Sequence, residues 1–385
     1  MIIICEPQCV GFEHSSFNAA LITVVNYAFK DEKILFLAEK EHIVNVKSVL
    51  DSKNIKAEYI EIKVPPRNQF DQIRFISEYI LFKKVFKIAD KLNSNKILFC
   101  SIRRPGIVSV KILTRKFKNI NCMVVLHSII EAISKGPFEI TEIPFWLRFW
   151  LSFANIENLK YLILGPSIEK ELLKELPSIE KYIASIDLPY FYQPPVDLKT
   201  LPDNKKILFG FFGVGSVRKG VDIFFKLAEE ISIEKTKYKP EFILIGHLIY
   251  NKFTKIFQNQ VIIPSPDEPL IRKDFDNYAK NIDYALIFHN PDEYRLSACA
   301  SFFDSISYLK PVIALKNPFI EYYFEKMGDI GYLCDDYEEM KNVILDLLEN
   351  NPISHYNIQK ENLLIGRKEL SLKKISKKFA LIWGD

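Results

Sequence analysis

The chain has 385 residues, of which 48% are hydrophobic and 26% are charged. This composition is typical of a globular protein and argues against a disordered one, and the length predicts two domains because one core rarely organises so many residues. The net charge of +4 is small for this length and gives no indication of a nucleic-acid partner.

The N-terminus and the cysteines indicate a cytoplasmic protein. The opening residues, MIIICEPQ, lack the basic start and the long apolar core of a signal peptide. No stretch reaches about 18 uncharged apolar residues, so we expect no transmembrane helix. The cysteines form neither a CxxC pair nor a metal-ligand spacing, and several lie in apolar runs. They predict buried free thiols in a reducing compartment and no metal site.

Short apolar runs bounded by polar residues predict buried parallel strands in the first half. These runs are 2–5, 34–38, 57–62, 96–102, 122–128 and 161–165. Within 71–92 apolar residues recur every three to four positions, which predicts an amphipathic helix. The rhythm breaks where several prolines and polar residues follow one another, and 191–206 is therefore predicted to be an interdomain linker.

The same alternation restarts after the linker. Strands are predicted at 206–213, 241–246, 261–265, 284–289, 311–315 and 331–334, and helices at 219–231, 270–281 and 298–309. Alternating strands and helices on both sides predict an α/β protein with two doubly wound domains, 1–190 and 207–368. The basic amphipathic helix in 369–385 either packs back onto the first domain or lies solvated on the surface.

The stretch FGFFGVGSVRKG has the composition of an anion site. A strand leads into Gly213, Gly215 and Ser216, and Arg218 and Lys219 open the next helix. Glycines let the backbone approach a ligand, and a helix N-terminus with two cations suits a phosphate or diphosphate. The alternative is an ordinary turn with solvated cations.

A second polar stretch follows the strand 284–289. Its candidate ligand contacts are His289, Asn290, Glu293, Arg295, Ser297, Ser301 and Asp304. The small residues begin a helix that can receive a ligand oxygen, and carboxylates accept hydrogen bonds from sugar or ribose hydroxyls. Alternatively, Glu293 and Arg295 form a surface ion pair and Asp304 is an ordinary acid in the first turn of the helix.

In order and spacing, several stretches of the second half resemble the retaining family-four glycosyltransferases. GSVRKGVDIFFKLAEEI, EFILIG, the segment from YALIFH to KPVIAL, and GDIGYLCDDYEEM follow that family's consecutive elements. The form YRLSACASFFDSISYLKPVIA is similar to a divergent branch among bacterial surface-polysaccharide transferases. The resemblance implies a GT-B fold, in which two Rossmann-like domains face a central cleft.

The resemblance also implies roles for particular residues. Lys219 falls on the lysine that holds the donor diphosphate, and Asp304 on the second glutamate of the family motif, which binds the donor ribose. The family's arginine falls on Val214, so Arg218 is the candidate replacement. The first glutamate falls on Leu296, which leaves Glu293 or Arg295 to take part of its role.

In the first half, the resemblance implies a cleft role for the loop after the first strand and for a histidine further on. The loop residues are Gly11, His14, Ser15 and Asn18. His127 falls on the histidine that contacts the transferred sugar. Arg103 and Arg104 follow another predicted strand and are candidates for an anionic acceptor. The alternatives are a capping loop, a core histidine and solvated arginines.

The aromatic stretch 137–156 predicts either a helix at a bilayer interface, which suits a lipid-linked acceptor, or an ordinary core helix. Together these features predict a metal-independent, retaining glycosyltransferase in surface-polysaccharide synthesis at the inner face of the plasma membrane. It takes a nucleotide sugar as co-substrate and needs no other cofactor. The alternatives are a sugar-nucleotide epimerase, an inverting transferase with Glu13, His14 or Glu131 as general base, and a non-catalytic partner subunit.

Overall fold

The structure is a computed structural model and describes residues 1–66, 68, 70–127, 129–134, 143–194, 205–249, 260–290 and 294–384, without the side chains of 143–145. The chain divides into two compact units. The first unit comprises Met1–Phe191, Leu296–Ala298 and Leu370–Asp385. The second unit comprises Tyr192–Arg295 and Cys299–Glu369.

In the described part of the first unit, seven parallel strands form one sheet in the order β3-β2-β1-β4-β5-β6-β7. The strands are β1 (Ile2–Cys5), β2 (Ile34–Ala38), β3 (Glu58–Glu61), β4 (Lys96–Phe99), β5 (Asn121–Val125), β6 (Leu159–Leu164) and β7 (Ile183–Ile186). The helices are α1 (Ser15–Ala28), α2 (Lys40–Ser52), α3 (Asp71–Lys91), α4 (Arg104–Lys116), α5 (Ile143–Ser152), α6 (Pro166–Glu175) and, from the end of the chain, α13 (Leu372–Trp383). The central strands β1 and β4 are buried on both faces, which explains their continuous apolar runs.

Six parallel strands form the sheet of the second unit, within its described residues, in the order β10-β9-β8-β11-β12-β13. The strands are β8 (Lys206–Phe212), β9 (Lys239–Ile245), β10 (Val261–Ile262), β11 (Tyr284–Ile287), β12 (Val312–Leu315) and β13 (Gly331–Cys334). The helices are α7 (Val221–Ser232), α8 (Arg272–Asn281), α9 (Ala300–Ser307), α10 (Pro318–Met327), α11 (Tyr337–Asn350) and α12 (Ile353–Glu369). Aromatic side chains fill its core, where Phe209 and Phe211 of β8 pack with Phe224 and Phe242.

Each sheet reverses its strand order once, between β1 and β4 in the first unit and between β8 and β11 in the second. At such a reversal the loops that follow the two neighbouring strands diverge at the carboxyl edge of the sheet. This is the place where open α/β sheets bind ligands. The prediction of two doubly wound α/β domains is confirmed, and the reversals select the loops after these four strands as the places for a site.

Several local predictions differ from the structure. The strand β7 was not predicted, because a four-residue strand in the polar surroundings of KYIASIDL gives little signal. The helix predicted at 298–309 is shorter, since α9 begins at Ala300 with Cys299 as its N-cap. Part of the aromatic stretch, 137–142, lies outside the described residues.

The predictions made from the sequence for the cysteines and for membrane-spanning helices can also be compared with the structure. All six cysteines are buried free thiols, as their apolar surroundings predicted. Among the described helices, none combines the length and the hydropathy that a membrane crossing requires.

Candidate functional site

Gly213 directly follows β8 in a backbone conformation that favours glycine, with φ of +87°. Its amide donates to the carbonyl of Ile245 at the end of β9 (3.0 Å). A Cβ placed on Gly213 would lie 3.6 Å from Lys219 Nζ and 4.0 Å from Ser301 Oγ. The loop after β8 therefore brings a lysine and a serine from α9 to the same glycine.

Arg218 and Lys219 lie on a single 3₁₀ turn, and Gly220, the N-cap of α7, follows it. Lys219 is half-buried; burial lowers the pKa of its ammonium group, while the charge of Asp304 opposes that shift. Arg218 is exposed, and its guanidinium carbon lies 4.9 Å from the ring centre of Tyr294. The predicted cation pair thus stands beside the glycine loop at the carboxyl edge of the sheet.

Gly215 has a packing role in this loop. It is buried, and a Cβ on it would come within 2.8 Å of both Leu244 and Leu248. Its amide already donates to the carbonyl of His247 (2.8 Å) and its carbonyl accepts from Ile249 (3.0 Å). The amide and carbonyl of Gly215 are therefore already paired, and its predicted role in donor binding stays a prediction. Ser216 is half-buried just before the 3₁₀ turn.

His289 lies just beyond β11 and is only 3% exposed. Its ring stacks on Tyr294 with centroids 3.9 Å apart and planes 11° apart. Burial, together with the charges of Lys219 and Arg218, lowers the pKa of His289 to about 3, so its imidazole is neutral near pH 7. Its Nδ1 has no hydrogen-bond partner among the described residues, and a buried polar atom of this kind requires an explanation such as a ligand.

The rest of the second polar stretch surrounds this histidine. Asn290 is exposed, and its carbonyl accepts from the amide of Tyr294 (3.0 Å). Arg295 is half-buried. Glu293 lies outside the described residues, so its predicted role stays a prediction. Tyr294 was not singled out from the sequence, where one tyrosine in a polar loop gives no signal of its contacts.

Helix α9 contributes Ser301 and Asp304. The hydroxyl of Ser301 donates to the carbonyl of Phe212 (3.2 Å) and so fixes α9 to the end of β8. Asp304 lies in the middle of the helix rather than in its first turn, and it is half-buried. Because its charge acts on both Lys219 and the thiol of Cys299, it belongs to the cluster around the glycine loop.

Ser297 departs from this cluster. The segment Leu296–Ala298 belongs to the first unit, and the hydroxyl of Ser297 donates to the carboxylate of Glu131 (2.5 Å). Leu296, which occupies the position of the family's first glutamate, is a core residue with 1% exposure. Ser297 and Ser301, predicted to act together at one helix start, therefore lie in different units.

In the first unit the structure brings together two histidines that were predicted separately. The rings of His14 and His127 meet edge to face with centroids 5.0 Å apart, and Phe17 stacks on His127 at 5.6 Å. Burial, with the neighbouring His14, lowers the pKa of His127 to about 4. His14 adopts a left-handed conformation at the start of α1 and is exposed, so the pair offers a neutral imidazole beside an accessible one.

The first unit also contains a buried polar network that was not predicted from the sequence. Glu6 is 1% exposed and accepts hydrogen bonds from the side chains of Asn18 (3.1 Å) and Ser101 (2.5 Å). Asn18 also contacts His42 Nε2 (2.8 Å), and His42 Nδ1 donates to the carbonyl of Gly11 (2.9 Å). Asn18 is fully buried and helps to hold the loop in place, and its predicted role in the cleft stays a prediction.

The other candidate site residues of the first unit form hydrogen bonds or ion pairs within that unit. Ser15 donates to the carbonyl of Phe12 (3.0 Å), and Glu13 accepts from the amide of Val10 (3.3 Å). Arg103 donates to the side chain of Gln8 (3.2 Å), which links the loops after β4 and β1. Arg104 forms an ion pair with Asp71 at the start of α3, so a role in binding an acceptor would require it to leave that partner.

Comparisons with solved structures agree on the architecture. The chain is similar to HepE of Anabaena in complex with UDP (TM-score 0.67, 14% identity, all of both chains covered). It is also similar to WaaG, a glycosyltransferase involved in lipopolysaccharide biosynthesis (TM-score 0.64, 12% identity, all of both chains covered). A third is the lipopolysaccharide outer core galactosyltransferase WaaB (TM-score 0.63, 11% identity, all of both chains covered).

No protein-family model matches the sequence, and no curated protein matches it at the sequence level. At such low identities the structural similarities show the fold alone. The predicted α/β architecture of two Rossmann-like domains, the GT-B fold, is confirmed.

Proposed function

We propose that this protein is a glycosyltransferase that moves a sugar from a nucleotide-diphosphate donor to a glycan acceptor. The observation that carries the proposal is the cluster at the carboxyl edge of β8 and β11. There the ammonium group of Lys219 stands beside the backbone of Gly213 and near Asp304. His289 presents a buried, unpartnered nitrogen among the described residues. Cations beside a glycine turn suit a diphosphate, and a carboxylate suits a ribose.

In this proposal the second unit binds the donor. Lys219 and Arg218 contact the diphosphate and stabilise the charge that develops on it as the sugar leaves, a role like that of an oxyanion hole, without a metal ion. Asp304 accepts hydrogen bonds from the ribose. The solved structure of HepE with UDP-glucose and the glycosyltransferase names of WaaG and WaaB support a nucleotide sugar as the ligand class.

The finer parts of the proposal concern the first unit. His127 and His14 contact the transferred sugar and the acceptor, and transfer proceeds with retention. The acceptor is a surface glycan on a lipid carrier at the inner face of the plasma membrane. The aromatic residues Trp146 and Phe149 on α5, and Phe153 just after it, support a peripheral membrane contact, because more than a third of each side chain remains exposed.

The test is donor binding by calorimetry with UDP, UDP-glucose, GDP and ADP. We expect at least one nucleotide to bind wild-type protein and Lys219→Ala to weaken that binding about 10- to 100-fold, since hydrogen bonds to charged groups contribute about 1.5–3 kcal/mol. Lys226→Ala is the matched control, because Lys226 lies on α7 and pairs with Glu230. Unchanged affinity in Lys219→Ala, or no binding and no hydrolysis of a panel of sugar nucleotides, would refute the proposal.

A further inference from the structure

Tyr294 contacts two planar polar groups of the donor cluster at once. Its ring stacks on the imidazole of His289 with centroids 3.9 Å apart and planes 11° apart, and the guanidinium carbon of Arg218 lies 4.9 Å from its centre. Tyr294 itself is only 6% exposed. The three side chains therefore form a stack in which the tyrosine is the shared member.

The stack connects two loops of the second unit. Arg218 lies on the 3₁₀ turn after β8, and His289 and Tyr294 lie in the segment after β11. These two strands are the pair at which the strand order of the sheet reverses. The amide of Tyr294 donates to the carbonyl of Asn290 (3.0 Å), which fixes the tyrosine to its own loop. Tyr294 thus joins the two loops that the fold selects for a ligand.

This packing differs from that of a core tyrosine. Tyr284 of β11 is fully buried and packs on Phe209 and Tyr356, with centroids 5.9 and 5.3 Å apart, so its ring serves the hydrophobic core. The ring of Tyr294 contacts an imidazole and a guanidinium. Polar groups of this kind gain little from burial alone, so the contact indicates a role at the site.

Arg218 needs such a contact to keep one position. Its side chain is exposed, and a long side chain loses conformational entropy when it is held in one geometry. Its charge also acts against that of its neighbour: burial lowers the pKa of Lys219, and the charge of Arg218 lowers it further. The face of an aromatic ring attracts a guanidinium and matches its planar shape. Tyr294 therefore holds the second cation near the first although their charges repel.

We propose that Tyr294 is a positioning residue of the donor site, which holds the guanidinium of Arg218 in the place where it meets the donor diphosphate. The inference rests on the proposed function, because it needs a diphosphate bound at the glycine loop. The role belongs to the aromatic ring and not to the hydroxyl, since the π face attracts the cation. A guanidinium that is held in advance loses less conformational freedom on binding, so the stack raises the affinity for a diphosphate.

The experiment is calorimetry with UDP, GDP or ADP, whichever of the three binds wild-type protein most tightly. Tyr294→Leu should weaken that binding about 3- to 10-fold, the effect of losing a cation–π contact and the fixed geometry of one side chain. Tyr294→Phe keeps the ring and should bind within about twofold of wild type.

A substitution on the other side of the contact tests the stack without disturbing a buried residue. Arg218→Lys keeps the charge but not the planar group that stacks, and it should lose about threefold in affinity. Because Arg218 is exposed, this variant is expected to keep the fold even where Tyr294→Leu impairs it.

A double-mutant cycle separates positioning from a general loss of stability. In the Arg218→Ala background, Tyr294→Leu should change the affinity by less than about twofold, because the group that it positions is gone. Tyr337→Leu is the matched control, since Lys226 of α7 lies 4.5 Å from the centre of that ring at the start of α11. Its nucleotide affinity should equal that of wild type.

Wild-type affinity in Tyr294→Leu or in Arg218→Lys, or the same loss from Tyr294→Leu with and without Arg218, would overturn the inference. If Lys219→Ala weakens binding while these variants do not, the proposed function stands and the role of Tyr294 falls. If none of the nucleotides binds wild-type protein, the proposed function fails and the role of Tyr294 fails with it.

Discussion

At the scale of single residues, His289 connects the proposed donor site to stability. It is buried against the ring of Tyr294 and feels the charges of Lys219 and Arg218, and both burial and positive charge disfavour its protonated form. The unfolded chain offers the same imidazole to water and takes up a proton near pH 6.5. This difference in proton affinity between the folded and unfolded states makes the free energy of unfolding depend on pH, over a range of pH that can be calculated.

We predict that His289 lowers the free energy of unfolding by about 2 kcal/mol between pH 7.5 and pH 5. The sign follows from its folded pKa of about 3: below pH 6.5 the unfolded state binds a proton that the folded state refuses. Urea unfolding at both pH values measures the change. In His289→Gln the difference between the two pH values should shrink by that amount, and an unchanged difference would contradict the assignment.

At the scale of elements, α5 depends on one lysine from its neighbour α4. Lys111 is 6% exposed, and its ammonium group donates to the carbonyls of Trp150 (2.5 Å) and Phe153 (2.6 Å) and to Asn155 Oδ1 (2.7 Å). The last carbonyls of a helix have no partner within the helix. Lys111 thereby satisfies the end of α5 and holds its aromatic face in position.

Lys111→Met should therefore destabilise the first unit by about 2–4 kcal/mol, since it leaves buried acceptors without a donor. Urea unfolding followed by tryptophan fluorescence reports the loss, because Trp146 and Trp150 lie on α5. Lys116→Met on the exposed side of α4 should change stability by less than about 0.5 kcal/mol. Equal effects of the two substitutions would show that the capping contacts contribute nothing.

At the scale of the whole molecule, the last residues of the chain complete the first unit. Helix α13 packs against α1, and Phe379 and Trp383 are buried there with Phe29 at centroid distances of 6.3 and 6.0 Å. The amine of Lys160 also donates to the carbonyl of Ile382 (2.9 Å). The chain thus leaves the first unit, forms the second and returns.

Trp383→Ala should cost the first unit about 3–5 kcal/mol, the usual effect of deleting a buried aromatic side chain. Hydrogen exchange read by mass spectrometry should show faster exchange in peptides from α1, with peptides from α7 in the second unit unchanged. Leu381→Ala on the same helix is the control, because Leu381 is 85% exposed and should alter neither. Faster exchange in α7 alone would contradict the assignment of α13 to the first unit.

The sequence alone was enough to predict the repeated strands and helices, because buried parallel strands need continuous apolar runs and amphipathic helices need their own period. It also pointed to Lys219, His289 and Asp304 as residues after the strands of the second half. These patterns are local, so they can be read without knowing which elements become neighbours.

Only the tertiary structure decided which of those residues meet. Gly215 became a packing glycine and Asn18 a buried support, while Ser297 became a partner of Glu131. Glu6 and His42 had no sequence signal because Ser101 and Gly11, which they contact, are distant in the chain. The same holds for the contact of Tyr294 with Arg218. Side-chain contacts depend on strand order and crossover, and these arise from the cooperative packing of the whole sheet and not from any one stretch of sequence.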